Sequence, residues 1–232
     1  MAPQLDPNVE ALSEFSTCDV SDALLKLKVP HGGFLAGITM YSPERQTGAT
    51  KIVGPAYTVK YALLSDPAAK HPTHYIDAVP EGAVLFVSSP RTPNAVFGGL
   101  MATRAQYRGC TGAVIDGRLR DLQEHRDLRF PVFARDVGTT APAEVAKVVG
   151  IDVAVQLQPE GQAEAGAITT ANAIIHPGDY VIADLNGVVV LPRGLAAQAL
   201  SLIKKQVTAD EQLATALRGG ASFAEASKKF RG

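Results

Sequence analysis

The chain has no tryptophan and only two cysteines, Cys18 and Cys110, in 232 residues. Two cysteines build neither a disulfide framework nor a zinc quartet. They read as small buried residues of a reducing, cytoplasmic compartment. Neither charge is in excess: 22 Lys and Arg face 23 Asp and Glu, for a formal net charge of −1. Nucleic-acid binding needs a concentrated cationic footprint, and no basic run supplies one, so nucleic acid is not an expected partner. No apolar run approaches the roughly 20 residues that cross a bilayer, so no membrane span is expected either. The opening "MAPQLDPNVE" has neither a basic stretch nor an apolar segment, and a secretory leader is not expected.

The chain does have ordinary apolar content, 46%, together with 21 glycines and 15 prolines. That composition suits a core built from many short strands and turns. The stretch "NVEALSEFSTCDVSDALLKL" carries apolar residues at helical spacing, broken near Ser16 and Thr17. Two short helices are predicted, with Ser16 or Thr17 capping the second. "KIVGPAYTVKYAL" reads as a strand interrupted at Gly54-Pro55. "HPTHYIDAV" predicts a short helix and "EGAVLFVSSP" a buried strand closed by Pro90. A helix is expected from Gly98-Gly99 to Gly109, then the strand "TGAVID", a short amphipathic helix in "DLQEHRDLRF", and the buried strand "PVFAR". Strand, helix, strand, helix, strand is the grammar of a parallel α/β layer. From Val153 to Pro192 the pattern changes to strands joined by Pro-Gly-Asp and Leu-Asn-Gly turns, which predicts antiparallel pairing. A long helix from Gly194 to about Leu217 and a short one in "SFAEASKKF" close the chain. One α/β domain over residues 1–232, with mixed parallel and antiparallel strands, is the economical organisation.

Chemistry concentrates in "GCTGAVIDGRLRDLQEH", Gly109 to His125. Ligands of parallel sheets gather beyond the carboxyl ends of the strands. Two such ends meet here, one leading to Gly98-Gly99 and one to Arg120-Asp121. Bare glycines at a helix start let a ligand approach the backbone, where free N–H groups favour an anion. A guanidinium fork adds a bidentate partner for carboxylate or enolate oxygens. Asp121 offers hard oxygen to a magnesium-like ion. Glu124 lies one helical turn on, so both acids can lean to one side. A plainer alternative stands beside this: acids at a helix start can simply complement the dipole in solvent, and Gly98-Gly99 can serve a close helix crossing.

Together these residues resemble the RraA-like family, which includes metal-dependent 4-hydroxy-4-methyl-2-oxoglutarate/4-carboxy-4-hydroxy-2-oxoadipate aldolases. "FGGLMATRAQYRGCTGAVIDGRLRDLQEH" carries most of the likeness. "VSDAL", "VGPAYTV", "PVFAR" and "HPGDYVIADLNGVVVLP" follow in order along nearly the whole chain. The resemblance implies a three-layer ββα fold like the swivelling phosphohistidine domains. It also implies a trimer or hexamer with active sites shared between subunits. It makes Asp121 a ligand of Mg2+ or Mn2+, with Glu124 completing an Arg-Asp-x-x-acid signature. Arg120 would hold the oxygens of a pyruvate unit, and the amides around Gly98, Gly99, Leu100 and Met101 would cradle its carboxylate. Asp22 and Glu211 fall where aldolase members carry acids lent by the adjacent subunit. The implied activity is a class II lyase: retro-aldol cleavage of a 4-hydroxy-2-keto acid to pyruvate, decarboxylation of oxaloacetate, or both. The family also holds the alternative of a non-catalytic regulator that binds a ribonuclease.

One position departs from the aldolase pattern. Where the signature opens with an acid, this chain has Gly99. A general base is then missing for retro-aldol cleavage but not for decarboxylation, and water activated by Asp22 or Glu211 of a neighbour is the expected substitute. Restoring an acid by Gly99→Asp is expected to favour aldol cleavage. Other residues have simpler readings. His71 and His74 could share a metal, but Pro72 between them disfavours a continuous helix and no third ligand is evident. Cys110 has no histidine partner for nucleophilic work. Tyr57 reads as core or a subunit contact, Arg118 as a salt bridge or a wall of the crevice, Asp116 as a residue orienting its turn, and Asp184 to Gly187 as a hairpin turn.

Overall fold

The computed structural model describes residues 6–157 and 173–231. In chain order the elements are α1 (Pro7–Ser13), α2 (Thr17–Lys26), β1 (Thr39–Ser42), β2 (Ile52–Leu63), β3 (Val84–Ser88), β4 (Ala95–Phe97), α3 (Gly99–Tyr107), β5 (Gly112–Leu119), α4 (Leu122–Asp127), β6 (Val132–Val137), β7 (Ala146–Ile151), β8 (Val155–Gln156), β9 (Ile174–Ile175), β10 (Tyr180–Asp184), β11 (Gly187–Leu191), α5 (Ala196–Arg218) and α6 (Phe223–Phe230). Part of the expected antiparallel stretch, residues 158–172, lies outside the described residues.

The apolar runs "VLFV" and "GAVI" form the middle of the sheet, because strands covered on both faces have no polar side to show. Strands β6, β5, β3 and β2 are parallel neighbours, with Ser88 registered on Asp116 at the carboxyl ends of β3 and β5. Antiparallel β1 extends one end of this order, and the antiparallel β10 and β11 extend the other. Gly54-Pro55 does not interrupt β2. It marks where the strand changes partner, from β10 through Pro55 to β3 from Ala56 onward. Proline has no N–H to give a ladder, so a change of partner is a tolerable place for it. The edges approach each other: Phe34 bridges to Val189, and the Leu35 N–H donates to the Val188 carbonyl at 2.9 Å. The sheet is therefore nearly closed. Val84, Phe86, Val114, Phe133, Val181 and Val190 fill its inside. Leu85, Val87 and Ile115 face outward under α3 and α4, while Ile182, Val189 and Leu191 meet α1, α2 and α5.

Local signals explain the helix ends. Ser16, not Thr17, caps α2, in a reciprocal capping box with Asp19. Thr17 instead ties the helix start to the β10–β11 turn, donating through N–H (2.9 Å) and Oγ1 (2.7 Å) to Asp184. The expected hairpin is present, with Asp184 opposite Gly187. "HPTHYIDAV" forms only a 3-10 turn, Tyr75–Ala78. Cys18 is exposed, contrary to its expected burial, while Cys110 is buried. No helix among the described residues is long and apolar enough to cross a membrane.

Candidate functional site

β3 and β5 are neighbours, so the elements that follow them open on one crevice, a cavity of about 530 Å³. After β3 the chain pairs briefly with the far end of β5 as β4, then turns at Gly98 into α3. β5 itself runs past Gly117 to Leu119, and Arg120 and Asp121 lead into α4. Gly98, Leu100, Met101, Arg120, Asp121 and Glu124 all line the cavity.

Asp121 does not behave as a solvated helix cap. It stands at the N-cap of α4 but makes no side-chain cap hydrogen bond. Its backbone is left-handed (φ 59°, ψ 41°), a conformation uncommon outside glycine and most tolerable for Asn and Asp. That twist turns the carboxylate toward α3. Oδ2 accepts the Gly99 N–H at 3.0 Å and lies 3.5 Å from Arg120 Nε. Glu124 leans the same way. A Cβ placed on Gly99 would lie 1.7 Å from Glu124 Oε2, and one on Gly98 would lie 2.6 Å from Asp121 Oδ2. Each glycine thus leaves room for a carboxylate from α4 or its N-cap. This packing explains why two glycines begin α3 better than helix crossing does.

The expected amide cradle is partly engaged within the chain. The Gly99 amide binds Asp121, and the Met101 amide turns back to the Gly98 carbonyl at 3.0 Å. The Leu100 amide is engaged by neither, and the Leu100 side chain is 77% exposed at the mouth. Tyr61, His74, Tyr75, Pro142 and the β4 residues Ala95, Val96 and Phe97 form the remaining wall. Burial pushes the Tyr61 and Tyr75 hydroxyls above their ordinary pKa, so both stay protonated near neutrality.

Asp22 and Glu211 are not at this crevice. They are exposed on α2 and α5 and do not line the cavity of their own chain. His71 pairs with Thr73, and His74 caps the Tyr75 turn through the Ile76 N–H (3.3 Å) while stacking on Tyr75. The two histidines form no metal cluster; among the described residues no group of three or more His, Cys, Asp or Glu converges. The Cys110 thiol donates to the Ala83 carbonyl at 3.3 Å, and burial raises its pKa, so it is no nucleophile. Tyr57 is core, donating to the Tyr75 carbonyl. Asp116 is fully buried between Arg135 and Arg91, and Arg118 forms a salt bridge with Asp136 at 2.5 Å. Arg118 lines a separate cavity with Arg91 and Arg135.

Sequence reasoning missed two residues that brace the site. The Phe97 carbonyl accepts the Arg120 N–H at 2.9 Å, and His125 Nε2 meets the Arg120 carbonyl at 2.9 Å. His125 is fully buried, and burial lowers its pKa. β4 is only three residues long, too short for a periodicity to reveal, and His125 lies amid charged residues that read as a solvated helix face.

Comparison with known proteins shows the chain's family and fold. The family model described as "RraA-like: Aldolase/RraA" matches residues 17–190. A protein of Halalkalibacterium halodurans named as a putative 4-hydroxy-4-methyl-2-oxoglutarate aldolase is 31% identical over 162 residues, 69% of each chain. Protein DlpA of Legionella pneumophila is 25% identical over 97% of this chain, which spans 34% of that protein's length. Among solved structures, an uncharacterized protein of Pseudomonas syringae superposes with a TM-score of 0.78 at 25% identity, covering 97% of this chain and 99% of the other. Streptomyces coelicolor RraAS2, described as an unusual member of the RNase ES inhibitor RraA family, gives 0.73 at 23% identity, covering 93% and 98%. That likeness is one of fold.

Proposed function

This chain belongs to the RraA-like family, and from that premise we propose that it is a divalent-metal-dependent lyase that forms the enolate of pyruvate. Its reactions are the cleavage of a 4-hydroxy-2-keto acid, the decarboxylation of oxaloacetate, or both. The observation that carries the reading is the convergence of Asp121, Glu124 and Arg120 on the glycine start of α3. A regulator acting only through its surface would need no pair of carboxylates gathered with a guanidinium along one crevice.

The donor set suits a small hard cation. Mg2+ is commonly held by one or two carboxylates, with water and substrate filling the other positions. Asp121 and Glu124 are two such carboxylates, both reachable from the cavity. When bound, Mg2+ or Mn2+ supplies Lewis-acid polarisation of the 2-keto group. The chain's own residues do the rest. The Arg120 guanidinium takes the pyruvate oxygens bidentately, and the Leu100 amide at the start of α3 would donate to the carboxylate end. As the carbon–carbon bond breaks, its electron pair becomes the new carbon–carbon double bond and the keto π pair moves onto oxygen, giving an enolate, and donors already in place there need no reorganisation. In decarboxylation the departing fragment is carbon dioxide, and no base is required. In retro-aldol cleavage a base must first accept the 4-hydroxyl proton. Glu124 brings an acid into the space that a side chain at position 99 would occupy, and Asp22 and Glu211 of a neighbouring subunit are the other candidates. With the family reading we also propose its ββα layering, like the swivelling phosphohistidine domains, and a trimer or hexamer with shared sites.

The test is release of pyruvate from oxaloacetate and from 4-hydroxy-2-keto diacids, with and without chelator. Metal-dependent release supports the lyase. No release with any of these substrates, together with capture of a ribonuclease, overturns it in favour of a regulator.

A further inference from the structure

We infer that His125 is a positioning residue, acting with Phe97 as a clamp on the Arg120 backbone that aims the guanidinium and Asp121 into the crevice. Its effect on turnover rests on the lyase reading; the clamp itself is a matter of backbone geometry.

Both polar groups of the Arg120 main chain are committed. Its N–H donates to the Phe97 carbonyl at 2.9 Å, and its carbonyl accepts from His125 Nε2 at 2.9 Å. The two clamping residues also hold each other. The rings of Phe97 and His125 stack with centroids 5.5 Å apart and planes 9° from parallel. Phe97 immediately precedes Gly98, and His125 immediately follows Glu124. The stacked pair therefore joins the two halves of the site: the glycine start of α3 and the acidic start of α4. The Arg120 carbonyl belongs to the peptide that enters the left-handed Asp121. A strained backbone of this kind persists only where its surroundings over-determine it, and the His125 bond is one such determinant.

The chemistry of the ring fits this single task. A carbonyl only accepts, so Nε2 must carry the proton. Nδ1 is buried and has no partner among the described residues. A leucine would fill the same space without stranding a polar atom, which ordinarily costs stability. The histidine is thus explained by its Nε2 bond and not by packing.

Three variants separate the roles. Glutamine can reach the Arg120 carbonyl from the Nε2 position, asparagine reaches only as far as Nδ1, and leucine donates nothing. His125→Leu and His125→Asn should each lower kcat for pyruvate release by about 10–100-fold, the usual cost of losing a group that orients an active residue. Hydrogen exchange of the Arg120 amide should speed up in both. His125→Gln should recover at least tenfold over leucine and restore protection of that amide. Nitrogen NMR of the wild-type ring should show a proton on Nε2. Should His125→Leu fail to fold, the Gln–Asn comparison decides. A ring with no proton on Nε2, a glutamine variant no better than leucine or asparagine, or a leucine variant with wild-type kcat and a protected Arg120 amide each overturns the clamp. If the wild-type chain releases no pyruvate at all, the lyase reading fails. The exchange and NMR results then still support or overturn the clamp on their own.

Discussion

Glu124 Oε2 occupies the place of the missing Gly99 side chain: a Cβ built on Gly99 would stand 1.7 Å from it and 2.9 Å from the Glu124 Cβ. The vacancy that the sequence shows at position 99 is, in three dimensions, filled from α4. The expectation for Gly99→Asp therefore changes. The new side chain cannot coexist with Glu124 as it stands, and insertion into filled space of this kind costs roughly 1–3 kcal/mol. The single variant should lose both stability and turnover instead of gaining aldol cleavage. Removing the obstructing carboxylate with Glu124→Ala in the same chain should recover stability but not turnover, because Glu124 is itself one of the two carboxylates proposed to hold the cation. A double-mutant cycle on Tm measures the coupling, and strictly additive effects would show that the two positions do not compete for one space.

The left-handed backbone of Asp121 allows its carboxylate to be tested without breaking the turn. Asparagine tolerates that conformation as well as aspartate does, so Asp121→Asn should keep its Tm close to wild type. It removes the charge facing Arg120 and the candidate cation, and the loss of one such preorganised group commonly lowers kcat by about 10²–10³-fold. Circular dichroism beside a coupled pyruvate assay tests both halves. Wild-type turnover in a folded Asp121→Asn protein would take the carboxylate out of the chemistry.

The tether between α5 and α6 has a predictable pH dependence. A hydrogen bond from Arg231 is the main cause holding the Asp210 carboxyl below its ordinary pKa of 3.8. A depressed folded pKa means that the unfolded chain binds more protons, so stability rises with pH through this window. The contribution is present above pH 3.8 and fades as the pH drops through the lower folded value. The pair is partly exposed, and such pairs contribute at most about 1 kcal/mol, which is roughly 2–4 °C in Tm for a chain of this size. Asp210→Asn should therefore melt slightly below wild type at pH 6, and the two should converge as the pH falls through the lowered folded value. High salt should also narrow the gap. A gap that persists unchanged at low pH would remove Asp210 from this role.

What could be read in the sequence tracks how far each signal extends along the chain. "VLFV" and "GAVI" are buried on both faces of the sheet, so their continuous apolar runs announced parallel strands. Ser16 announced its helix start because capping is local. Gly98-Gly99 and Arg120-Asp121 were legible as a site because each follows a recognisable strand. The strands β1, β4 and β7 were not read: β4 has three residues, and its one strand partner among the described residues is the far end of β5. Gly54-Pro55 looked like a break because nothing local says that a strand will change partners there. The burial of His125 depends on Phe97, distant in sequence, and the approach of Glu124 to Gly99 depends on how α3 and α4 are brought together.

If Asp121 and Glu124 hold a divalent cation, stability offers a test that needs no substrate. A ligand that binds only the folded state stabilises it by RT ln(1 + [L]/Kd), about 2.7 kcal/mol at a hundredfold excess over Kd. Adding Mg2+ or Mn2+ to chelator-treated protein should raise Tm, by several degrees at such an excess for a chain of this size. Asp121→Asn should abolish the rise. Glu124→Gln should shrink it, because one hard anionic oxygen donor would be replaced by a neutral amide. Ca2+ should do less than Mg2+: it takes six to eight oxygen ligands, and this corner offers two carboxylates with the rest left to water. A rise that survives both substitutions would place the cation elsewhere on the chain, and with it any metal-assisted step.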